Sequence, residues 1–145
     1  MKYLLVLLIG AALLSCNNIP DVESQIVQKI QSSKNTSLPL RSIIDINWDK
    51  LYIIPPYATE RSLTEDLLPY KDKIESTGIN IRDDVHILYF LKNKKLVAEA
   101  MIDANKVYFY AIKLYDASGH LTYFTPDQEL HLINSGDNYS VESIK

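Results

Sequence analysis

Cysteine, glycine and basic residues are scarce in this chain, and each scarcity excludes a class of structure or function. The sequence of 145 residues has one cysteine, Cys16, so it forms no internal disulfide and depends on packing for its stability. Its 4 glycines disfavour long flexible linkers. Because 18 acidic side chains outnumber 15 basic ones, with no basic stripe, the sequence predicts no nucleic-acid partner.

Motifs of familiar enzyme classes are also absent. There is no Gly-x-Ser-x-Gly, no P-loop, no Gly-x-Gly-x-x-Gly and no cysteine pair. The three histidines, His86, His120 and His131, lack the spacing of a helical zinc motif. We expect them to be partly exposed strand residues with hydrogen-bond partners; the alternative is that they converge on a metal from neighbouring strands. We predict no catalytic residue, no metal and no cofactor.

The sequence has one long apolar run, Leu4 to Leu14, at its beginning. A permanent transmembrane helix needs about 20 apolar residues, so this run is too short to be one. With Lys2 before it, the run is typical of a secretory signal peptide, which we place at residues 1–15. Its removal takes away Lys2 and leaves a mature chain slightly more acidic than the whole sequence, whose formal net charge is −3.

The end of this segment, Leu13-Leu14-Ser15-Cys16, resembles a bacterial lipobox, in which a small residue precedes an obligatory cysteine. The resemblance implies a diacylglyceryl group on the Cys16 sulfur, cleavage before Cys16, and an acyl chain such as palmitate on the new amino group. Two or more lipid chains give stable membrane anchoring. The alternative is an ordinary signal peptide with a chance cysteine.

Location follows from the residues after the lipobox. In the enterobacterial sorting rule an aspartate in the second mature position retains a lipoprotein at the inner membrane. Asn17 occupies that position here and implies the periplasmic face of the cell outer membrane if the host is Gram-negative. We interpret residues 16–21 as a lipidated tether and residues 22–145 as a single domain.

Helical spacing of apolar residues occurs twice. Val22, Ile26, Val27 and Ile30 predict an amphipathic helix from about Val22 to Ser32, which Asp21 can cap. A second helix is predicted after Thr59, with Leu63, Leu67 and Leu68 on its apolar face and Ser62 as an alternative start. Pro69 should end or kink it.

Alternating and β-branched segments predict strands over much of the remaining chain. In Ile43 to Ile54, Ile44, Ile46 and Trp48 would share one face, and Pro55-Pro56 ends the strand. From residue 85 onward, short turns join the predicted strands Val85–Lys92, Lys95–Asp103, Lys106–Tyr115, His120–Thr125, Leu130–Ile133 and Tyr139–Ile144. Short turns join antiparallel neighbours, so the predicted fold is α+β: an antiparallel β-meander sheet with one or two helices packed on it.

The segment "NWDKLYIIPPYAT" resembles a segment of small bacterial lipoproteins of unassigned function, which reads roughly Trp-Asp-x-(Val/Leu)-Tyr-(Ile/Val)-x-x-Pro-Tyr-Thr. The matching positions are Trp48, Asp49, Leu51, Tyr52, Ile53, Pro56 and Tyr57. Ala58 separates Tyr57 from Thr59, where the pattern has threonine directly. The resemblance extends over residues 46–102, implies the protein class and its location, and supplies no catalytic residues.

Four residues of this segment form a candidate pocket or interaction site: Trp48, Asp49, Tyr52 and Tyr57. A scaffold role for them is favoured, because each residue type has a structural reason at its position. The aromatic run Val107 to Ile112 is either a second core layer or an exposed platform for a partner, with core favoured.

Two functions of different classes remain. The first is a lipid-anchored envelope protein with a non-catalytic binding or interaction role, whose partner is an envelope protein or a peptide at a sheet edge. The alternative is a small hydrolase acting on cell-wall or glycan material, with Asp45, Asp49 or Asp83 as candidate acids. Asp83 and Asp84 together could instead bind a cation, although a solvated loop is the simpler interpretation.

Overall fold

A computed structural model describes residues 19–33, 36–109, 112–136 and 138–145. Within them are two helices and eight strands, so the α+β class is confirmed. The helices are α1, Glu23–Gln31, and α2, Lys71–Ser76. The strands are β1 Ser37–Pro39, β2 Lys50–Ile54, β3 Val85–Lys92, β4 Lys95–Asp103, β5 Val107–Tyr108, β6 Tyr123–Phe124, β7 Glu129–Ser135 and β8 Asn138–Ile144. Cys16 and the predicted signal peptide lie outside the described residues.

The strands divide between two four-stranded sheets. The first has the order β4-β3-β2-β6 and is antiparallel throughout. The second has the order β1-β7-β8-β5, and its β5–β8 pair is parallel. Consecutive strands therefore pair as a meander only in β2–β3–β4 and in β7–β8.

The β3–β4 hairpin is the centre of the first sheet. Both predicted strands have the predicted bounds, and Asn93 and Lys94 form the turn with φ of 50° and 63°. Positive φ at both central residues is the geometry whose twist matches antiparallel strands. Strand β3 lies between β2 and β4, and all its residues except the last, Lys92, are buried. A single cluster of buried apolar side chains includes residues from Val22 to Val141.

The two faces of the first sheet pack against different parts of the chain. Trp48 contacts the ring of Phe90 edge-on on one face, with ring centroids 5.4 Å apart. On the opposite face, the ring of Tyr70 stands edge-on to Tyr89 at 6.0 Å. The second face is thus covered by the segment between residues 59 and 81, which contains α2 and three short 3-10 helices.

The predicted strand from Ile43 is wrong in its first half. Only Lys50–Ile54 is strand, and the chain before it contains a 3-10 helix at Leu40–Ser42 followed by bends. Asp45 and Asn47 interrupt the apolar residues here, and such side chains favour bends over extended ladders. Trp48 and Ile44 are nevertheless buried, as predicted. Tyr52 does not share a face with Trp48, since the strand is not continuous between them.

The predicted second helix is also wrong in position. The chain after Thr59 forms a 3-10 helix at Glu60–Ser62 and another at Leu68–Tyr70, and α2 begins only at Lys71. Thr59 makes no side-chain capping bond. Pro69 disfavours helical geometry at the residue before it and lacks an amide hydrogen, so a continuous helix cannot form across it.

Two later predicted strands are shorter than expected. Of Lys106–Tyr115, only Val107–Tyr108 is a named strand, while Tyr115 forms an isolated bridge with Leu121. Of His120–Thr125, only Tyr123–Phe124 is strand. In the aromatic run, Val107 and Phe109 are buried and Tyr108 is exposed, while residues 110–111 lie outside the described part.

The end of the predicted tether is part of the folded domain. Asp21 forms a parallel bridge with Glu99 on the edge strand β4. The Glu99 amide donates to the Pro20 carbonyl at 3.0 Å, and the Val22 amide donates to the Glu99 carbonyl at 2.8 Å. Asp21 Oδ1 accepts from the Glu23 amide at 3.0 Å, so this side chain contacts the first residue of α1. The capping position itself is occupied by Val22, which makes no side-chain capping bond.

Candidate functional site

The four residues predicted as a possible pocket do not lie together. Trp48 packs in the core against Phe90. Asp49 Oδ2 accepts from the Asn93 amide at 2.8 Å and braces the β3–β4 turn. Tyr57 is 60% exposed, has a φ of 62°, and donates its amide to the Ile79 carbonyl. Tyr52 lies on the other face of the sheet from Trp48, so these residues act as separate structural contacts.

A row of aromatic residues crosses the first sheet on the face covered by α2. The register places Tyr123 of β6 beside Tyr52 of β2, Tyr52 beside Tyr89 of β3, and Tyr89 beside Glu99 of β4. The rings of Tyr52 and Tyr123 are 6.0 Å apart. Sequence reasoning did not find this row, because it depends on the pairing of strands that are distant in the chain.

One end of the row is a closed polar cluster. Asp66 Oδ2 accepts from Lys50 Nζ and, at 3.2 Å, from the Tyr52 hydroxyl. The bond from Lys50 lowers the pKa of the Asp66 carboxyl, and the same bond raises the pKa of Lys50. Burial raises the pKa of Tyr52. Asp66 is the hydrogen-bond partner of the other two side chains. Through Asp66, the cluster attaches the segment between residues 59 and 81 to strand β2.

The other end of the row borders a cavity of about 200 Å³, which we call the Tyr89 cavity. Strands β3 and β4 form its floor and α2 forms one wall. The rim is polar and part of the floor is apolar. Its lining residues are Asp21, Lys73, Ser76, Thr77, Ile87, Tyr89, Glu99, Ala100 and Met101.

Tyr89 differs from its neighbours in the row because its hydroxyl has no hydrogen-bond partner within the described residues. The side chain is 1% exposed. Burial, followed by the nearby negative charge of Glu99, raises the pKa of the Tyr89 hydroxyl, so the group stays protonated. A buried hydroxyl without a partner costs about 1–3 kcal/mol.

The rim of the cavity carries an ion pair and a second carboxylate, that of Asp21. Lys73 Nζ lies 2.8 Å from Glu99 Oε1 and 2.7 Å from Glu99 Oε2, so the pair is bidentate. The parallel bridge to β4 brings Asp21 to the same rim. With Lys73 engaged by Glu99, the rim has one excess negative charge and favours a ligand that presents a cationic or hydrogen-bond donor group.

Hydroxyl groups from the end of α2 add acceptors to the wall. Ser76 Oγ donates to the Lys73 carbonyl at 2.7 Å, and Thr77 Oγ1 donates to the Ile74 carbonyl at 2.6 Å. Thr77 Oγ1 also accepts from the Ile79 amide at 3.2 Å, so the Ser76 oxygen is the more available acceptor. The cavity therefore combines an apolar floor with several polar groups, which is the usual composition of a small-ligand site.

The candidate acids of the hydrolase alternative lie elsewhere. Asp49 is at the β3–β4 turn, whereas Asp83 precedes the first residue of β3. Eight strand residues separate those positions, a distance of about 25 Å. Glycosidase carboxyl pairs are about 5–9.5 Å apart, so Asp49 and Asp83 cannot form one. Asp45 is exposed on the bends before β2.

The histidine prediction is wrong for His86, which is fully buried beside Phe109, with ring centroids 5.4 Å apart. Burial lowers the pKa of His86 to about 4. His120 is exposed outside the named strands, and His131 lies on β7 of the second sheet. Among the described residues, no group of three His, Cys, Asp or Glu side chains has the arrangement of a metal site.

No helix among residues 19–33, 36–109, 112–136 and 138–145 has the length and apolar character needed to span a bilayer. Comparison of the chain with protein-family models, with curated proteins and with solved structures gave no match.

Proposed function

We propose that this chain is a lipid-anchored envelope protein with a non-catalytic binding role, and that the Tyr89 cavity is its binding site. The ligand is a small molecule, or a side chain of an envelope protein or peptide partner. It brings a hydrogen-bond acceptor to the floor of the cavity and a donor or cationic group to its acidic rim. The proposed location is the cell envelope, on the periplasmic face of the outer membrane if the host is Gram-negative.

Two sequence segments support the proposed membrane anchoring. Leu13-Leu14-Ser15-Cys16 resembles a lipobox, and the segment "NWDKLYIIPPYAT" resembles a segment of bacterial lipoproteins. Lipidation of Cys16 would consume the only thiol of the chain. The same lipobox gives a reason for a lone cysteine in an exported protein.

The binding half is supported by one observation above the others: the buried Tyr89 hydroxyl lacks a partner beside a cavity of about 200 Å³. Buried polar groups in folded proteins are almost always paired. A ligand that supplies the missing acceptor removes this cost. An ordered water would also supply it, and the experiment below separates a ligand from water.

The hydrolase alternative gains no support from the geometry. Asp49 contributes an oxygen to the β3–β4 turn, Asp45 is exposed, and Asp83 lies at the far end of β3. None of these three lines the Tyr89 cavity. The acidic groups that do line it are Asp21, whose Oδ1 accepts from the Glu23 amide, and Glu99, which is paired with Lys73.

The proposal is tested by purifying the tagged full-length protein from its own membranes and identifying bound proteins and small molecules by mass spectrometry. Met101→Trp is the informative variant, because Met101 lines the cavity and is partly exposed, so the larger side chain fills the cavity. We expect the bound species to fall at least tenfold. Ile133→Trp is the matched control, since Ile133 is 47% exposed on β7 and does not line the cavity.

Three results would contradict the proposal in different ways. If the wild-type protein retains no bound protein or small molecule, it has no binding role under these conditions and the Tyr89 cavity holds only water. A partner that both tryptophan variants retain binds at another surface. A substrate-like molecule that the wild-type protein converts to product during purification would restore the enzyme alternative.

A further inference from the structure

The direction in which the tether leaves the domain is fixed by its pairing with β4. The bridge between Asp21 and Glu99 is parallel. Going backward from Asp21 to Ile19, the described part of the tether therefore runs toward the beginning of β4, which is Lys95. Ile19, the first described residue, packs against the core and keeps the segment on this course.

The length of chain between Asp21 and Cys16 is sufficient to reach the level of Lys95 beside the β3–β4 turn. Five residue steps separate Asp21 from Cys16, so the chain reaches at most about 18 Å. Along β4, the four steps from Glu99 back to Lys95 span about 13 Å. A lipid on Cys16 is thus within reach of the level of Lys95. Both ends of β4 are four steps from Glu99, so the direction of the chain between Asp21 and Ile19, and not its length, favours the end with the turn.

The turn at this end of the hairpin is basic. Lys92, Lys94 and Lys95 surround it, and we call these three residues the lysine tip. Asp49, which accepts from the Asn93 amide, and Asp66 contribute negative charge near the same turn. The side chain of Lys94 is 76% exposed and lies 3.9 Å from Asp66, a loose contact in water. Lys95 is exposed and Lys92 is partly exposed. The tip is a positive end on a protein whose formal net charge is −3.

The opposite end of the same hairpin is acidic. Asp83 and Asp84 precede β3, and Asp103 is the last residue of β4. Arg82 is paired with Asp84 at 2.7 Å, which reduces the negative charge of this end by one. The hairpin therefore separates positive from negative charge along its length. In an anionic surface field this separation favours one orientation, with the lysine tip toward the surface and the aspartates away from it.

The backbone at the tip carries a cost that a glycine would avoid. Lys94 has a φ of 63°, a left-handed conformation in which glycine is preferred and other residues are strained. Residues whose backbone conformation disagrees with their intrinsic preference are expected mainly at functional or strained positions. A lysine at this position presents a charge at the outermost point of the hairpin, where glycine would present none.

We propose that the lysine tip rests on the anionic surface of the membrane that holds the Cys16 lipid. This proposal rests on the anchoring proposed above and adds the orientation of the domain. The lipid and the basic patch then act as two membrane signals on the same end of the molecule. Since Glu99 lies about 13 Å along β4 from Lys95, the Tyr89 cavity would then lie close above the lipid head groups.

The experiment uses the full lipidated chain in vesicles of phosphatidylcholine, with or without phosphatidylglycerol. Lipidation leaves no free thiol, so Asn93→Cys introduces a single labelling site at the turn and keeps all three lysines. Asn105→Cys places the matched site at the opposite end of the hairpin. A fluorophore at either position is exposed to nitroxide-labelled lipid head groups, and quenching is measured.

With phosphatidylglycerol present, we expect quenching at residue 93 to exceed that at residue 105 at least threefold. The difference should shrink in high salt or in phosphatidylcholine alone, because exposed charges are screened. Replacing the tip by Lys92→Gln, Lys94→Gln and Lys95→Gln should remove the difference. The control triple Lys29→Gln, Lys113→Gln and Lys145→Gln removes the same charge from exposed positions elsewhere and should keep it.

The outcomes distinguish this proposal from the anchoring on which it rests. A protein that floats with the vesicles but is quenched equally at residues 93 and 105 is anchored without the proposed orientation, which overturns the present proposal alone. Equal loss of quenching in both glutamine triples would show an effect of net charge and would also overturn it. A wild-type chain that does not float with vesicles overturns both proposals.

Discussion

Tyr89 and Tyr52 are adjacent in the same row and differ in what their hydroxyls contact. The Tyr52 hydroxyl donates to Asp66, whereas the Tyr89 hydroxyl has no partner among the described residues. Removing an unpaired buried hydroxyl removes its desolvation cost, while removing a paired one leaves its partner unsatisfied. The same chemical change, tyrosine to phenylalanine, should therefore have opposite effects at the two positions.

We predict that Tyr89→Phe raises the free energy of unfolding by about 1 kcal/mol, and that Tyr52→Phe lowers it by about 1–2 kcal/mol. Urea unfolding of the ligand-free protein measures both. A Tyr89→Phe variant that is destabilised as much as Tyr52→Phe would show that the Tyr89 hydroxyl is paired in solution, with water or with a retained ligand.

His86 makes stability depend on pH. Its folded pKa is about 4, below the ordinary value of 6.5, because burial disfavours the charged form. The unfolded chain therefore binds a proton more readily between these values, and the free energy of unfolding decreases as pH falls from about 6.5 toward 4. The full loss is roughly 3 kcal/mol, since one pKa unit corresponds to about 1.4 kcal/mol.

We predict that His86→Leu has a shallower decrease of unfolding free energy over this pH range, measured by urea unfolding at several pH values. His120→Leu is the matched control, because His120 is exposed. It should keep the wild-type slope. If His86→Leu keeps the same slope as wild type, other groups cause the acid sensitivity and burial of His86 does not.

At the scale of elements, local sequence predicted those structures that depend on local interactions. The bounds of β3 and β4 were predicted to the residue, because a polar two-residue turn separates two strongly apolar segments. Helix α1 was predicted to within one residue at each end, because its apolar period is in the sequence.

Elements that depend on distant contacts were not predicted. The segment after Thr59 has helical spacing, but Asp66 is held by Lys50 and Tyr52 on the sheet, and Pro69 interrupts the remaining turn. The parallel β5–β8 pair joins strands that are far apart in the chain, and no local pattern indicates it. Tertiary contacts override propensity in both cases.

The candidate site was missed for the same physical reason. The sequence predicts that Tyr89 is in a strand and that Asp21 precedes a helix, and both are true. It does not predict that a parallel bridge brings Asp21 beside Glu99, or that Lys73 folds back onto that strand. The Tyr89 cavity exists only because three separate parts of the chain meet there.

At the scale of the whole molecule, the tether, the cavity and the lysine tip share one strand. Strand β4 begins at the tip, pairs with the tether at Glu99, and forms part of the cavity floor. A membrane anchor attached through this strand would hold the cavity at a fixed height and orientation. The function proposed for the whole molecule therefore depends first on whether Cys16 carries lipid.

We predict that the wild-type chain incorporates an alkyne analogue of palmitate in growing bacteria and that Cys16→Ala abolishes the incorporation, since the thiol is the attachment point. Ser15→Ala keeps a small residue before the cysteine and should be labelled like wild type. In-gel fluorescence after coupling to a dye measures both. Labelling that persists in Cys16→Ala, or that is absent from the wild-type chain, would contradict the anchor. The domain would then reach its partner from solution, and the direction of the tether along β4 would have only a structural role.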